Sequence, residues 1–240
     1  MFTGMENLRD SKAAEIAQLV VNHNPMVITS NYKGVILSQT VQVLSILQGQ
    51  AIFQAPEPIL CSTLKEKIYL YSRASREVVS ARLLKLNTVM GKLELADLTF
   101  TGWRWNERQS DRVQPQDPII VFVEQKKMLV QANLDNLSVK GMSLLTCNYT
   151  ERFLHSDHSS PVRLTFQLPD SDGSLVLKGK VIHAYQVGKL AILGVQFMTN
   201  TAQKKRINHY VMARKAEILG ELKRIFQESC EQHWIPDLYH

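Results

Sequence analysis

Apolar and polar residues alternate along most of the chain in a pattern that predicts β-strands. From about Asn7 to Val21 the apolar residues instead recur at helical spacing, and a polar turn before Pro25 ends the pattern, which predicts one short amphipathic helix. Residues Arg73 to Leu86 fit a helical turn and a strand equally well, so the pattern does not assign them. The strand-like runs of this half predict a small β-barrel. They are Met26–Ser30, Gly34–Gln54, Ile59–Ser62, Lys67–Tyr71 and Leu93–Phe100.

A second series of strand-like runs follows a polar, basic segment at residues 103–112. That segment interrupts the β pattern, which predicts a linker between a domain at 1–102 and a domain at 113–240. Regular spacing of the later runs predicts a closed or nearly closed antiparallel barrel. From Ala202 to about Gln232, apolar residues at three- to four-residue steps predict a long amphipathic helix, with one seven-residue gap through Arg214. The later runs are Ile119–Glu124, Leu129–Leu134, Gly141–Thr146, Val162–Leu168, Leu175–His183 and Leu190–Phe197.

The expected fold class is therefore mainly β with flanking helices. It comprises two small antiparallel β-barrels, the second of which is followed by a long amphipathic C-terminal helix. The net charge of +6 over 240 residues favours an anionic partner, such as a nucleotide, nucleic acid or an acidic membrane surface.

Cysteine content and terminal sequence indicate the compartment. Cys61, Cys147 and Cys230 are far apart and odd in number, which predicts neither a disulfide framework nor a zinc ribbon and fits a reducing cytoplasm. Residues 1–12 lack the apolar core of a signal peptide, and no segment approaches the roughly 18 uninterrupted apolar residues of a membrane span. We expect a cytoplasmic protein.

Motifs of enzymes and metal sites are missing from the sequence. It contains no P-loop, GxSxG, HExxH or GxGxxG pattern, so we expect a protein that is not an enzyme. His155 and His158 form an HxxH pair that could bring two imidazoles together, but no cysteine or carboxylate spacing completes a coordination shell there. We therefore expect no metal.

Two short polar patterns carry the candidate chemistry, one from Arg108 to Arg112 (RxxxR) and one from Asn136 to Gly141 (NxSxxG). Alone, the first fits a solvated linker and the second a polar turn that enters a strand. Together, in this order and among these strands, they resemble the PilZ family. The resemblance covers roughly residues 104–210 and continues through Val162–Pro169, Gly179–His183 and Gly194–Phe197.

The PilZ resemblance implies a six-stranded barrel that binds cyclic di-GMP. By the family pattern, Arg108 and Arg112 would grip the phosphates and guanine faces, while Asn136, Ser138 and Gly141 would line the guanine and ribose end. The chemistry agrees, because a guanidinium both forks onto phosphate oxygens and stacks on aromatic faces. Asparagine and serine supply donors and acceptors for the edge of guanine.

Residues around the two motifs modify this expectation. Asn136 replaces the more frequent aspartate of the family, although Asp135 comes immediately before it. Glu107 places a negative charge beside Arg108, and Arg104 could supply a further stacking guanidinium. The implied ligand set is therefore Arg104, Arg108, Arg112, Asp135, Asn136, Ser138 and Gly141.

The first half of the chain, placed before a PilZ-like domain, resembles the barrel domain of flagellar-brake proteins. That resemblance implies that ligand binding changes the interdomain arrangement, which would regulate motility or biofilm formation through a protein partner such as the flagellar motor. The basic residues Lys204–Arg206 and Lys223–Arg224 leave open a ligand-controlled DNA-binding transcription regulator, and a PilZ-like adapter without ligand is a third alternative. The terminal helix could dimerise, so both a monomer and a homodimer stay open.

Overall fold

The computed structural model describes most of the chain as two compact units with a helix near either end. It describes residues 3–47, 50–54, 68–72, 74–75, 77–87, 90–102, 110–126, 128–147, 160–169 and 173–231. One unit comprises Met1–Tyr32, Ile36–Glu107 and Ile218–His240, and the other comprises Lys33–Val35 and Arg108–Glu217. The sequence-based boundaries at 102 and 112 stay predictions.

Six antiparallel strands of the first unit form a closed barrel in the order β1-β2-β3-β6-β5-β4. Alternate residues of these strands point inward and form one apolar core with residues of helix α1 (Thr3–Asn22). The strands are β1 (Met26–Tyr32), β2 (Val35–Leu47), β3 (Gln50–Gln54), β4 (Ile68–Tyr71), β5 (Val78–Asn87) and β6 (Lys92–Thr101).

The structure refines two sequence-based assignments in this barrel. The run predicted from Gly34 to Gln54 is two strands, β2 and β3, in which Leu47 is paired with Gln50. Gln48 and Gly49, between the two strands, were read as part of one longer strand-like run. Residues 78–86, which the pattern did not assign, belong to strand β5, and the predicted run Ile59–Ser62 lies outside the described residues.

The second barrel consists of β8 to β13, closed by the pairing of β9 with β10, and a short strand β7 is added along β9. Strand β9 pairs with β8 through its first half and with β10 through its second half. The strands are β7 (Arg112–Val113), β8 (Ile120–Gln125), β9 (Met128–Ser138), β10 (Gly141–Thr146), β11 (Val162–Phe166), β12 (Leu175–Val187) and β13 (Leu190–Met198). Two antiparallel barrels and a long final helix confirm the predicted fold class.

The C-terminal helix α2 spans Thr201–Glu231 and buries one face. The apolar residues of the predicted stripe include Ile207, Val211, Ile218 and Leu222, all of which are buried. Arg214 fills the gap in that stripe and is itself only 3% exposed. The residue that interrupts the apolar stripe is therefore a buried cation, which requires polar partners. In the part of the chain that the structure describes, no helix combines the length and apolar character needed to cross a bilayer.

Candidate functional site

The NxSxxG pattern forms the tight hairpin between β9 and β10. Asn136 and Ser138 lie near the end of β9, and Gly141 begins β10, where it is paired with Ser138. The interpretation of this pattern as a polar turn that enters a strand was therefore wrong for its first half, because only Val139 and Lys140 form the turn. Strand β9 continues through Ser138 because its last residues pair with β10 on one side and with β7 on the other, which satisfies their backbone hydrogen-bonding groups.

The hydroxyl of Ser138 holds this hairpin closed. Ser138 is 4% exposed, and its Oγ accepts a hydrogen bond from the Gly141 N–H at 3.1 Å and donates one to the Gly141 carbonyl at 3.0 Å. Both bonds fix the backbone that carries the neighbouring motif residues. The contact of this hydroxyl with the ligand, which the resemblance implies, stays a prediction.

Gly141 is a glycine because β13 passes too close for a side chain. A Cβ there would overlap the carbonyl oxygen of Val195 and would lie 3.3 Å from the carbonyl carbon of the same residue. Backbone at that contact cannot move without disturbing the pairing of β10 with β13. The pairing of β10 with β13 therefore requires glycine at position 141, whether or not a ligand binds.

An irregularity in β9 turns Asn136 onto the outward face of the barrel. Ser143 is paired with Asn136, but the next residue of β10, Leu144, is paired with Leu134, so Asp135 is an extra residue. The carboxylate of Asp135 accepts a hydrogen bond from Nδ2 of Asn136 at 2.7 Å. The Oδ1 atom of Asn136 is buried and has no hydrogen-bond partner among the residues that the structure describes. Buried acceptors of this kind are uncommon and cost free energy until a donor reaches them.

Arg112 lies in the short strand β7, beside the NxSxxG hairpin. It is paired with Ser138, and Val113 is paired with Leu137. Its backbone is confined by the segment Lys33–Val35, which clusters with this unit: the Gln114 N–H donates to the Lys33 carbonyl at 2.8 Å. The RxxxR pattern was predicted to lie in a flexible linker, but its last arginine belongs to the sheet.

Helix α2 holds the same segment from the other side. Nζ of Lys215 lies 2.7 Å from the Asp111 carboxylate, and Nε of Arg214 donates to the Gln114 carbonyl at 3.0 Å. Arg214 also forms an ion pair with Glu217 at 2.8 Å. Sequence reasoning missed these two positioning residues. The one available signal was a basic residue at a position of the helix where the periodicity requires a buried side chain.

The motif residues face outward in two parallel rows that run across the strands of the second barrel. Residues paired across strands share one face of a sheet, and their neighbours in sequence point into the core. Two positions along a strand separate the rows, which is about 7 Å. The first row is Arg112, Ser138, Gly141, Gln196 and Lys180, and the second row is Asn136, Ser143, Gly194 and His183.

His183 ends the second row and was not singled out as a site residue from the sequence. Its imidazole ring lies where a Cβ on Gly194 would be, so it rests on the bare backbone of β13. Partial burial lowers the pKa of His183, and the positive charge of Arg112 lowers it further. The charge of Arg112 can act on His183 in this way only because the two side chains lie near each other.

Two predicted ligand residues and the HxxH pair lie in parts of the chain that the structure does not describe. Arg104 and Arg108 lie outside the described residues, as do His155 and His158. Among the residues that are described, no group of histidine, cysteine, aspartate and glutamate side chains could hold a metal ion.

Comparison with known protein families identifies the region that contains both motifs. The sequence model of the PilZ domain matches residues 106–213. No curated protein sequence matches the chain.

Solved structures resemble most of the chain at low identity. The Escherichia coli YcgR complex with c-di-GMP has 11% identity and a TM-score of 0.42, with 89% of this chain and 93% of that chain covered. The K. pneumonia MrkH complex with c-di-GMP has 14% identity and a TM-score of 0.46, with 88% and 96% covered. The Bacillus subtilis inhibitor of motility MotI/DgrA has 10% identity and a TM-score of 0.40, with 80% and 96% covered.

We predict that Gly141→Ala destabilises the protein by about 1–3 kcal/mol, because the added methyl group overlaps the Val195 carbonyl and forces two strands apart. Chemical denaturation followed by circular dichroism measures this change. Gly102→Ala is the matched control, since nothing lies within 4 Å of a Cβ at that position. Equal stability of the two variants would contradict the close approach of β10 and β13.

Proposed function

We propose that the protein is a receptor for cyclic di-GMP, because residues 106–213 match the sequence model of the PilZ domain. The ligand would bind on the outward face of the second barrel, over the two rows of residues described above. One observation carries the proposal: the register sets Arg112 opposite Ser138, one row away from the unpaired amide oxygen of Asn136. A cation and an unsatisfied acceptor thus share one side of the sheet.

Arg112 is suited to the phosphates of the ligand. A cyclic dinucleotide carries two phosphodiester anions, and a guanidinium can fork onto phosphate oxygens while it stacks on a purine. Arg112 is half-buried on β7, so its interaction with an anion is less screened than it would be in open solvent. Arg108 and Arg104 come a few residues earlier, and we propose that both add contacts of the same kind.

Asn136 is suited to the edge of a guanine base. Guanine presents N–H donors on its Watson–Crick edge, and the buried Oδ1 of Asn136 is an acceptor that lacks a donor. Asp135 accepts the hydrogen bond from Nδ2, which fixes the amide with Oδ1 free for a ligand. In this proposal Asp135 positions Asn136, while Ser138 and Gly141 shape the backbone beneath the ligand.

We predict that Arg112→Ala weakens cyclic di-GMP binding by about 2–4 kcal/mol, more than tenfold in affinity, because a charge-assisted contact is lost from a partly desolvated site. Isothermal titration calorimetry of the full chain gives affinity and stoichiometry together, with GTP as the ligand control. Arg163→Ala is the matched variant, since Arg163 is an exposed arginine on β11 of the same barrel. Saturable binding by the Arg163→Ala protein and loss of binding by the Arg112→Ala protein are expected. Equal affinities for the two variants would overturn the role of Arg112.

For the output, we propose that ligand binding changes the arrangement of the two units and so presents the first unit to a protein partner of a motility or biofilm system. Helix α2 offers a route, because its residues up to Glu217 cluster with the second unit and those from Ile218 with the first. Lys215 and Arg214 tie that helix to the segment that contains Arg112. A displacement of Arg112 on binding of the phosphates would therefore be transmitted to helix α2.

Spin labels on the two units, with distances measured with and without ligand, test this output. We expect a ligand-dependent change of distance in the unaltered protein. Lys215→Met removes the ion pair with Asp111, so it should reduce that change while the protein still binds ligand. The same distances with and without cyclic di-GMP, at saturation confirmed by calorimetry, would contradict the proposed output and leave the proposed ligand intact.

A further inference from the structure

The second row of outward residues continues beyond Asn136 to a histidine that no motif includes. Asn136, Ser143, Gly194 and His183 are paired in succession across β9, β10, β13 and β12. Neighbouring strands are about 4.8 Å apart, so this row spans about 14 Å, with only a serine and a glycine between its ends. Arg112, paired with Ser138 in the neighbouring row, is close enough for its charge to act on the imidazole of His183. Between Asn136 and His183 the second row therefore carries only small residues.

We infer that His183 is a further ligand-contacting residue of the proposed cyclic di-GMP site, and that its imidazole closes the site on the side opposite Arg112. This inference rests on the proposed function, because it assigns a residue to the same ligand. A planar aromatic ring with two nitrogen atoms can stack on a purine and can also hydrogen-bond an anion.

Two local features place the imidazole on the sheet. The pairing of β12 with β13 shifts between Val181 and His183, so Ile182 is an extra residue and His183 faces outward. Gly194, opposite His183, has no side chain, and the imidazole occupies the position that a Cβ would take. Both features place the ring against the backbone of Gly194 in the second row, which a histidine that merely extends into solvent would not need.

The charged groups around His183 determine how its protonation would respond to a bound ligand. Arg112 on β7 repels a proton on the imidazole. On β12, Tyr185 packs its ring 5.8 Å from that of His183, and Lys180 is an exposed cation. At the positions opposite His183 on β13 and β10 stand Gly194 and Ser143, which do not titrate, and Asp135 next to Asn136 is the acidic group of β9 nearest to this row.

Ligand binding should reverse the electrostatic effect of Arg112 on His183. The pKa of His183 is lowered in the free protein by partial burial and by Arg112, so the ring is neutral near neutral pH. A phosphodiester on Arg112 stays ionised and adds negative charge beside the ring, which raises the pKa of His183 in the complex. The bound state then holds more protons than the free state. By linkage, affinity rises as pH falls, over the range from the raised to the lowered pKa.

Calorimetry with cyclic di-GMP at several pH values tests this inference on the full chain. We expect the affinity of the unaltered protein to increase about threefold or more between about pH 8 and pH 6, with proton uptake that appears as a dependence of the heat on the buffer. His183→Gln keeps a hydrogen-bonding side chain but does not titrate, so it should bind about threefold or more weakly at the lower pH and lose the pH dependence. His209→Gln, at an exposed histidine of α2, is the matched control.

A second variant separates the position of the ring from its chemistry. Gly194→Ala should displace the imidazole and weaken binding as much as His183→Gln, and it should add nothing in a chain that already carries His183→Gln. Additive losses would overturn the coupling of these two residues. Binding by His183→Gln that matches the unaltered protein at every pH would overturn the inference and leave the proposed receptor intact, whereas no binding by the unaltered protein would contradict the proposed function itself. Thermal melting shows whether each variant is folded.

Discussion

The extra residue in β9 at Asp135 is the constraint on which the candidate site depends. Without it, Asn136 would point into the core, because side chains alternate strictly along a strand. With it, Leu134 and Leu137 both stay buried while Asn136 faces outward, next to Asp135. The same strand then continues far enough to pair with β10 and β7. One backbone irregularity thus sets the orientation of the motif and the place of Arg112.

Around this strand, the site combines cations at its edges with a floor that has few side chains. Two glycines belong to this floor. At Gly141 the carbonyl of Val195 leaves no room for a side chain, and at Gly194 the space of a side chain is filled by the ring of His183. The edges are Arg112 and Lys180, at the two ends of the first row. Positive side chains at the edges of a floor of small residues suit the doubly anionic ligand that we propose. The net charge of +6 indicates only the sign of such a partner, while the proposed location rests on the strand register.

Much of the fold could be predicted because strands, turns and helices each have a local pattern of apolar and polar residues in the sequence. Alternation and turn residues predicted β10 with its observed bounds, and helical periodicity predicted α2 to within one residue at either end. The reversal between β2 and β3 was not predicted, because Gln48 and Gly49 lie within a longer strand-like run. Strand β7 has no local signal either, since its two residues form a strand only because the end of β9 offers backbone partners.

The candidate site could be predicted only in part. A local pattern identifies Asn136 and Gly141, but Lys215 and His183 acquire their contacts through partners on distant segments, Asp111 and Gly194. Periodicity cannot reveal such partners. For Ser138 the motif implies ligand contact, which stays a prediction, but it did not reveal that the hydroxyl is bonded to the backbone of its own hairpin. The role of a polar residue depends on whether the fold uses its hydrogen bonds first.

Glycine-selective nitrogen-15 labelling with titration of cyclic di-GMP tests the location of the ligand most directly. The chain has 11 glycines, and two of them, Gly141 and Gly194, lie in the proposed floor. Binding on this face predicts that these two amide signals move on titration, while those of Gly173, in a loop, and Gly188, in the exposed turn between β12 and β13, keep their positions. Saturable binding that moves Gly173 or Gly188 and leaves both Gly141 and Gly194 unchanged would contradict the account.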